Sequence, residues 1–210
     1  MLKAKPPRPK KCKHCKTQFQ PARNFVSWCS VECAVEIAKA KQAKQKAQEA
    51  TKERTETRER KEKLKTYGDH VADAEKAVRD FRRNEELAKG SGCISCGKDQ
   101  AEIIAAQGWK VGGAFDAGHW MGKGARPELR LEPSNIWLQC KSCNGGSAKY
   151  ARKGESVKEA FEAGVIARLG EEAAMALKHD HRPRHYTVEQ LKEITSHYRA
   201  RLRELKKSHE

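Results

Sequence analysis

Apolar positions are unevenly distributed along this 210-residue chain, and their spacing changes at each predicted element. From Val31 to about Lys65 the chain consists largely of Ala, Lys, Gln, Glu and Arg without Gly or Pro, which predicts one long helix. Its recurrent apolar residues are alanines (Ala34, Ala38, Ala43, Ala47, Ala50), and little else apolar precedes Leu64. That pattern suits a solvated basic rod better than a coiled coil, and dimerisation through it is the alternative use. Tyr67-Gly68-Asp69 breaks the pattern. Asp69 is the expected N-cap of a second helix to about Leu87, with Val71, Ala74, Val78 and Phe81 on one face and Arg79, Arg82 and Arg83 around the other side. After a linker at 88–92, residues 114–120 and 136–139 read as two arms of a hairpin, and Cys140 begins a helix running to about Tyr150. The remainder is helical: 156–169 and 171–178, parted by Gly170, then a break at 180–186 and a capping box at Thr187-Val-Glu-Gln190. The last helix carries a stripe of Leu191, Ile194, Tyr198, Leu202 and Leu205 that must pack on something.

Composition narrows the picture. Only 37% of residues are hydrophobic and 34% are charged, so any core is small and needs a staple. Eight cysteines in close pairs can supply two. Cys12-Lys-His-Cys15 and Cys29-Ser-Val-Glu-Cys33 flank a 13-residue gap in which Phe19, Pro21, Phe25 and Trp28 are expected to cover a metal-centred mini-core. Cys93-Ile-Ser-Cys96 and Cys140-Lys-Ser-Cys143 lie 43 residues apart. Each set offers four thiolates for one tetrahedral Zn²⁺, a structural site with no open position. Disulfides would require an oxidising compartment. The first ten residues lack the apolar core of an export signal and no run is long enough to span a membrane, so the expected location is the cytoplasm. His179, His181 and His185 read as loop residues or phosphate contacts.

The net charge of +16 is concentrated at one end: residues 1–66 hold 19 basic against 7 acidic side chains, whereas residues 67–150 hold 12 against 11. A basic arm beside a near-neutral centre predicts a polyanionic partner, nucleic acid, gripped by the one and processed or read by the other. The resulting organisation is a basic tail and four-cysteine finger (1–34), a long charged helix (35–66), a helix and linker (67–92), a central module (93–150) and a helical tail (151–210).

The central module pairs its second cysteine set with Asp116, His119, Asn135 and Asn144. In strand, strand, helix order these residues resemble the HNH, or ββα-metal, nucleases. Over nearly the whole chain, the finger ending Trp28-Cys-Ser-x-Glu-Cys33, Asp116-Ala-Gly-His119, Leu129-Arg-Leu131, Asn135-Ile136 and Gln139-Cys-x2-Cys-Asn144 are similar to the NinG (Rap) recombination endonucleases of lambdoid phages. The resemblance implies a mainly α fold with a small zinc-stabilised ββα (HNH/treble-clef-like) core. It also implies a structure-specific endonuclease that cuts branched DNA, Holliday junctions and D-loops, in the infected host. His119 would be the general base and Asn135 a brace. Asp116 and Asn144 would hold a catalytic Mg²⁺ or Mn²⁺, and Lys123, Arg126, Arg130 and Lys149 would contact phosphates. A symmetric junction cut on two strands would favour a homodimer. One departure stands out: the residue before the base is usually a metal ligand and here is Gly118. It leaves room for a non-catalytic zinc protein that binds branched DNA. A sequence-specific nuclease, cutting linear duplex at one sequence, is the third reading.

Overall fold

The computed structural model describes residues 7–107, 113–149 and 151–208, apart from the side chains of residues 107, 146–149 and 151–156. It is mainly helical with two small two-stranded sheets, and the chain divides into two units between Leu64 and Lys65. No helix among the described residues is long and apolar enough to cross a membrane.

In the first unit, β1 (Lys10–Lys11) and β2 (Gln18–Phe19) pair antiparallel around the turn that carries Cys12 and Cys15. Strands this short need an external tie. Ser30 caps α1 (Val31–Lys63), its hydroxyl accepting from the Cys33 N–H at 3.3 Å, so Cys29 and Cys33 straddle the opening turn. The helix therefore begins inside the finger, and the break in the chain comes at its far end rather than at residue 34. Pro21 is buried and Phe19 and Trp28 are half-buried, but Phe25 is 72% exposed. A turn closed by the Val26 N–H on the Arg23 carbonyl (3.1 Å) directs it outward, where the Arg23 guanidinium lies 5.9 Å from its ring. The expected aromatic cover of the finger is smaller by that residue. Along α1, Cys33 alone of the described residues is buried, and its apolar residues collect on no face.

The second unit is built around α2 (Tyr67–Ala88). Its N-cap is Thr66, not Asp69: the Thr66 hydroxyl accepts from the Asp69 N–H while the Asp69 carboxylate accepts from the Thr66 N–H at 2.7 Å. A carboxylate at the third helical position reaches back to the cap, which moves the helix start three residues earlier. After the turn of Cys93 and Cys96 comes α3 (Gln100–Gln107), whose Ile103 is buried against Cys93, Phe115, Leu138 and Cys140.

β3 (Phe115–His119) and β4 (Ile136–Cys140) pair antiparallel with Asp116 opposite Gln139, Ala117 opposite Leu138, Gly118 opposite Trp137 and His119 opposite Ile136. The connection between them contains two 3-10 turns, Pro127–Leu129 and Pro133–Asn135. After β4 come α4 (Lys141–Lys149), α5 (Ala151–Leu169), α6 (Glu171–Lys178) and α7 (Val188–Lys207). Alternation along the strands separates two faces. On one, Ala117 and Ile136 pack on Val78 of α2, next to the contact of Ala74 with Leu131 and Leu191. On the other, Trp137 packs with Ile94, Phe161, Val165 and Ala174. At Gly164 a Cβ would stand 3.1 Å from two side-chain carbons of Ile94 and closer still to its carbonyl oxygen, so only glycine lets α5 lie this close.

The arginines of α2 are not a solvated face. Arg79 Nε donates to the Ala117 carbonyl and Arg82 Nε to the Ile136 carbonyl, both at 3.1 Å, so they satisfy strand carbonyls that sheet pairing leaves open. Arg82 is buried over the Trp137 ring and pairs with Glu85 and, at 3.0 Å, with Glu86, which also receives Arg168 at 3.1 Å.

Leu191 is the fully buried anchor of α7 on α2. Leu191→Ala is expected to cost about 2–5 kcal/mol and to lower the urea midpoint of the second unit. An unchanged midpoint would show that the stripe of α7 is not docked.

Candidate functional site

Two sets of four sulfurs converge. Cys12, Cys15, Cys29 and Cys33 form one, Cys93, Cys96, Cys140 and Cys143 the other, and within each set the Sγ atoms lie within 4.8 Å of one another. In the first, Cys15 and Cys29 are 3.4 Å apart and Cys29 and Cys33 3.6 Å, far longer than a disulfide and close to the edge of about 3.8 Å of a tetrahedron around zinc. All eight cysteines are free of disulfides. Burial raises the Cys93 thiol, but the backbone N–H groups of Cys140, Cys96 and Ser95 outweigh it and lower its pKa, whereas burial and the neighbouring thiols raise Cys96 and Cys143. Burial likewise opposes, and N–H groups of Cys15, His14 and Cys29 overcome, a shift of Cys12 that ends lowered to about 6. All-sulfur donor sets with this spacing can each bind Zn²⁺ and leave it no open position.

The second set positions everything around it. Cys140 ends β4, Cys143 lies in the first turn of α4, and the Cys140 N–H donates to Cys93 Sγ at 3.3 Å. The Ile94 N–H donates to the Leu138 carbonyl (2.9 Å), which attaches the turn of Cys93 and Cys96 along β4. The sharp passage from β4 into α4 carries Asn144 against Asp116 on β3: Asn144 Nδ2 donates to Asp116 Oδ2 at 3.2 Å. Lys141 Nζ lies 3.2 and 3.4 Å from the two Asp116 oxygens. An ammonium and an amide N–H thus hold the Asp116 carboxylate in place.

His119 stands elsewhere. It follows Asp116 by three residues, about 10 Å along the strand, and alternation sends its side chain to the opposite face. Its Nε2–H donates to the Arg130 carbonyl at 2.9 Å, which leaves Nδ1 as the accepting nitrogen of a neutral ring. Burial lowers its pKa, against the Arg130 carbonyl and the Glu75 carboxylate, which raise it. Arg130 is held there by Asn135, which is fully buried: Nδ2 donates to the Met121 and Leu129 carbonyls (2.9 and 3.1 Å) and Oδ1 accepts from the Met121 N–H at 2.7 Å. One amide thus fixes both ends of the loop that seats His119.

Beside β3 runs a cleft of about 340 Å³ walled by Glu75, Lys76, Arg79, Asp80 and Arg83 of α2, with Asp116 and Lys123 opposite. Glu75 pairs with Lys123 at 2.7 Å and lies 3.9 Å from both Arg79 and Arg130. Among the described residues, the buried Nε atoms of Arg83 and Arg130 have no hydrogen-bond partner. Lys123 therefore stands at this cleft, and Arg130 lies behind its Glu75 wall. Arg126 does not: its guanidinium bonds Glu128 and the Lys178 and Asp180 carbonyls at 2.5, 2.8 and 2.6 Å, and ties the loop to the end of α6. The side chain of Lys149 lies outside the described residues. Glu75, Lys76, Arg79 and Arg83 have no motif of their own, and only the helical period, with the apolar face turned to the sheet, could have placed them on one wall.

The family model described as Bacteriophage Lambda NinG protein matches residues 3–210. The chain is 36% identical over 220 aligned residues to Protein ninG of Escherichia phage lambda, covering 99% of this chain and 98% of that protein. It is 36% identical to Protein ninG of Escherichia phage 933W (98% and 97% covered) and 35% identical to Protein ninG of Salmonella phage P22 (95% of each). No solved structure matches it.

Metal analysis of the purified chain should find two zinc ions. Cys12→Ser should lose one and leave the second unit folded, whereas Cys140→Ser should abolish cooperative unfolding of the second unit, because binding energy at such sites is folding energy. A Cys140→Ser protein with unchanged thermal stability would remove the metal from the fold.

Proposed function

The chain belongs to the NinG family of phage proteins, and from that premise we propose that it is a structure-specific, metal-dependent DNA endonuclease of HNH-like design that cuts branched recombination intermediates, Holliday junctions and D-loops. The observation that carries the reading is a histidine of lowered pKa, held by the backbone at the end of the strand whose Asp116 and Ala117 line a cleft of mixed charge with Lys76, Arg79, Arg83 and Lys123. That is the equipment for moving a proton next to a phosphate.

In the proposed reaction His119 Nδ1 takes a proton from water, the water oxygen attacks the phosphodiester phosphorus as the bond to the 3′ oxygen breaks, and that oxygen takes a proton from solvent, giving 5′-phosphate and 3′-hydroxyl ends. Asp116 and Asn144 would hold the Mg²⁺ or Mn²⁺ whose charge offsets that gathering on the phosphate and leaving oxygen. Asp116 lines the cleft as well as meeting Asn144, so a phosphate at this strand edge would have the base on one side and the oxygen donors on the other. Lys123 is the phosphate contact of the earlier set that lines the cleft, joined by Arg79 and Arg83, while Arg130 lies 3.9 Å from Glu75 of its wall. Asn135 positions the loop. A symmetric junction cut on two strands would suit two copies of the chain.

The separation of His119 and Asp116 onto opposite faces, together with Gly118, favours a second reading: a zinc-bearing protein that binds branched DNA without cutting it. A labelled four-way junction and a linear duplex of the same sequence, incubated with Mg²⁺, Mn²⁺ or chelator, separate the two. Junction-confined, metal-dependent nicking is expected. His119→Ala should reduce its rate by about 10²–10⁴-fold while leaving junction affinity intact, and tight binding without nicking under either cation would establish the second reading.

The base must be neutral, and its pKa is lowered. Nicking should therefore stay level through neutral pH and fall only as the pH drops below the ordinary histidine value of 6.5. An acid limb centred above that value would separate His119 from the proton transfer.

A further inference from the structure

Gly118 lies between Ala117 and His119 on β3, and the packing around it gives a reason for its lack of a side chain. A Cβ built on Gly118 would stand 3.1 Å from Gln139 Cδ, closer still to Gln139 Oε1, and 3.4 Å from Asn144 Oδ1. The space above position 118 is thus occupied by two amide oxygens, one from β4 and one from α4. Asp116 shares this face of β3, two residues back, and sits directly opposite Gln139 in the register.

Gln139 is only 4% exposed. Its Nε2 donates to Ser95 Oγ at 2.7 Å, and Ser95 lies between Cys93 and Cys96, so the cysteine turn holds the nitrogen end and aims the oxygen end at Gly118. A buried amide carries a desolvation cost of about 1–3 kcal/mol unless its polar atoms are used. The Asn144 amide donates its N–H to Asp116 and so turns its oxygen toward Gly118, where the Gln139 oxygen also lies, and two amide oxygens side by side attract positive charge. Lys141 supplies some at Asp116. Neutral and anionic oxygens of this kind are the donors that Mg²⁺ and Mn²⁺ take.

We propose that Gln139 is a third protein ligand of the divalent cation, its amide oxygen replacing the ligand that position 118 cannot provide. The inference rests on the cation site of the proposed nuclease, Asp116 with Asn144. On this account Gly118 and Gln139 are one feature: the strand residue has lost its side chain because the oxygen comes from the facing strand instead.

The test is Mn²⁺ binding to the full-length, zinc-loaded chain, measured by electron paramagnetic resonance of free Mn²⁺, with junction nicking measured alongside. Gln139→Leu keeps the shape and removes the oxygen; it should weaken Mn²⁺ binding roughly tenfold or more, with nicking restored by raised Mn²⁺. Gln139→Glu keeps the oxygen and adds charge; it should bind Mn²⁺ more tightly. Zinc content and thermal unfolding report whether either variant has lost its fold, and Gln139→Glu decides the matter if Gln139→Leu has. Wild-type affinity in Gln139→Leu, or unchanged or weaker affinity in a folded Gln139→Glu, overturns the inference. Asp116→Ala and Asn144→Ala separate the two failures. If they lose Mn²⁺ binding while the Gln139 variants do not change it, Gln139 alone is excluded. If they too bind as wild type, the cation site itself falls.

Discussion

The convergence of Cys93, Cys96, Cys140 and Cys143 is the constraint on which the second unit depends. A hairpin of two five-residue strands and a nine-residue helix is below the size that holds itself together, and here the joint between them passes through a turn from 47 residues earlier. The sulfurs fix the angle at which α4 leaves β4, and that angle puts Asn144 beside Asp116. They also hold Ser95, and through it the amide of Gln139. Three oxygen-bearing side chains thus take their places from one cluster, although none of them belongs to it.

The other wall is α2. A two-stranded sheet exposes unpaired backbone groups along both edges, and α2 meets that problem with arginine: Arg79 bonds a carbonyl of β3 and Arg82 a carbonyl of β4. The helix can then pack Val78 flat on Ala117 and Ile136 between those two bonds. The cost is a buried guanidinium, offset at Arg82 by Glu85 and Glu86. The same arrangement turns Glu75, Lys76 and Arg83 toward the cleft, so the interaction that seals the sheet also supplies the charged lining next to Asp116.

The site itself is divided by the alternation of a strand. Asp116 and Gly118 face α4, Ala117 and His119 face α2, and the edge of β3 is the line where the two sets meet. Asn135 and Glu75 belong to the histidine side, Gln139 and Lys141 to the carboxylate side. The first group seats an imidazole and biases its charge; the second surrounds a carboxylate with two amides and an ammonium.

What the sequence determined by itself was whatever depends on short spacing. Cysteine pairs two or three residues apart must present thiolates together, so both four-cysteine sets were legible. The Thr187 capping box and the period of α7 marked that helix, and the hairpin was visible from its flanking motif residues. Local chemistry was less secure where two residues can share a task, as at Thr66 and Asp69, where the cap and its partner exchanged roles. What only the tertiary structure decided was everything set by approach between distant segments. The arginines of α2 could be placed opposite its apolar face, but their partners were fixed only when the sheet edges arrived beside them. Arg126 read as a phosphate contact until the end of α6 occupied its guanidinium. Gly118 read as a defect until Gln139, 21 positions later, filled its space. A sequence specifies which groups a residue carries and which neighbours lie within a turn; which carbonyl, carboxylate or amide will stand opposite it is fixed only when the chain closes on itself.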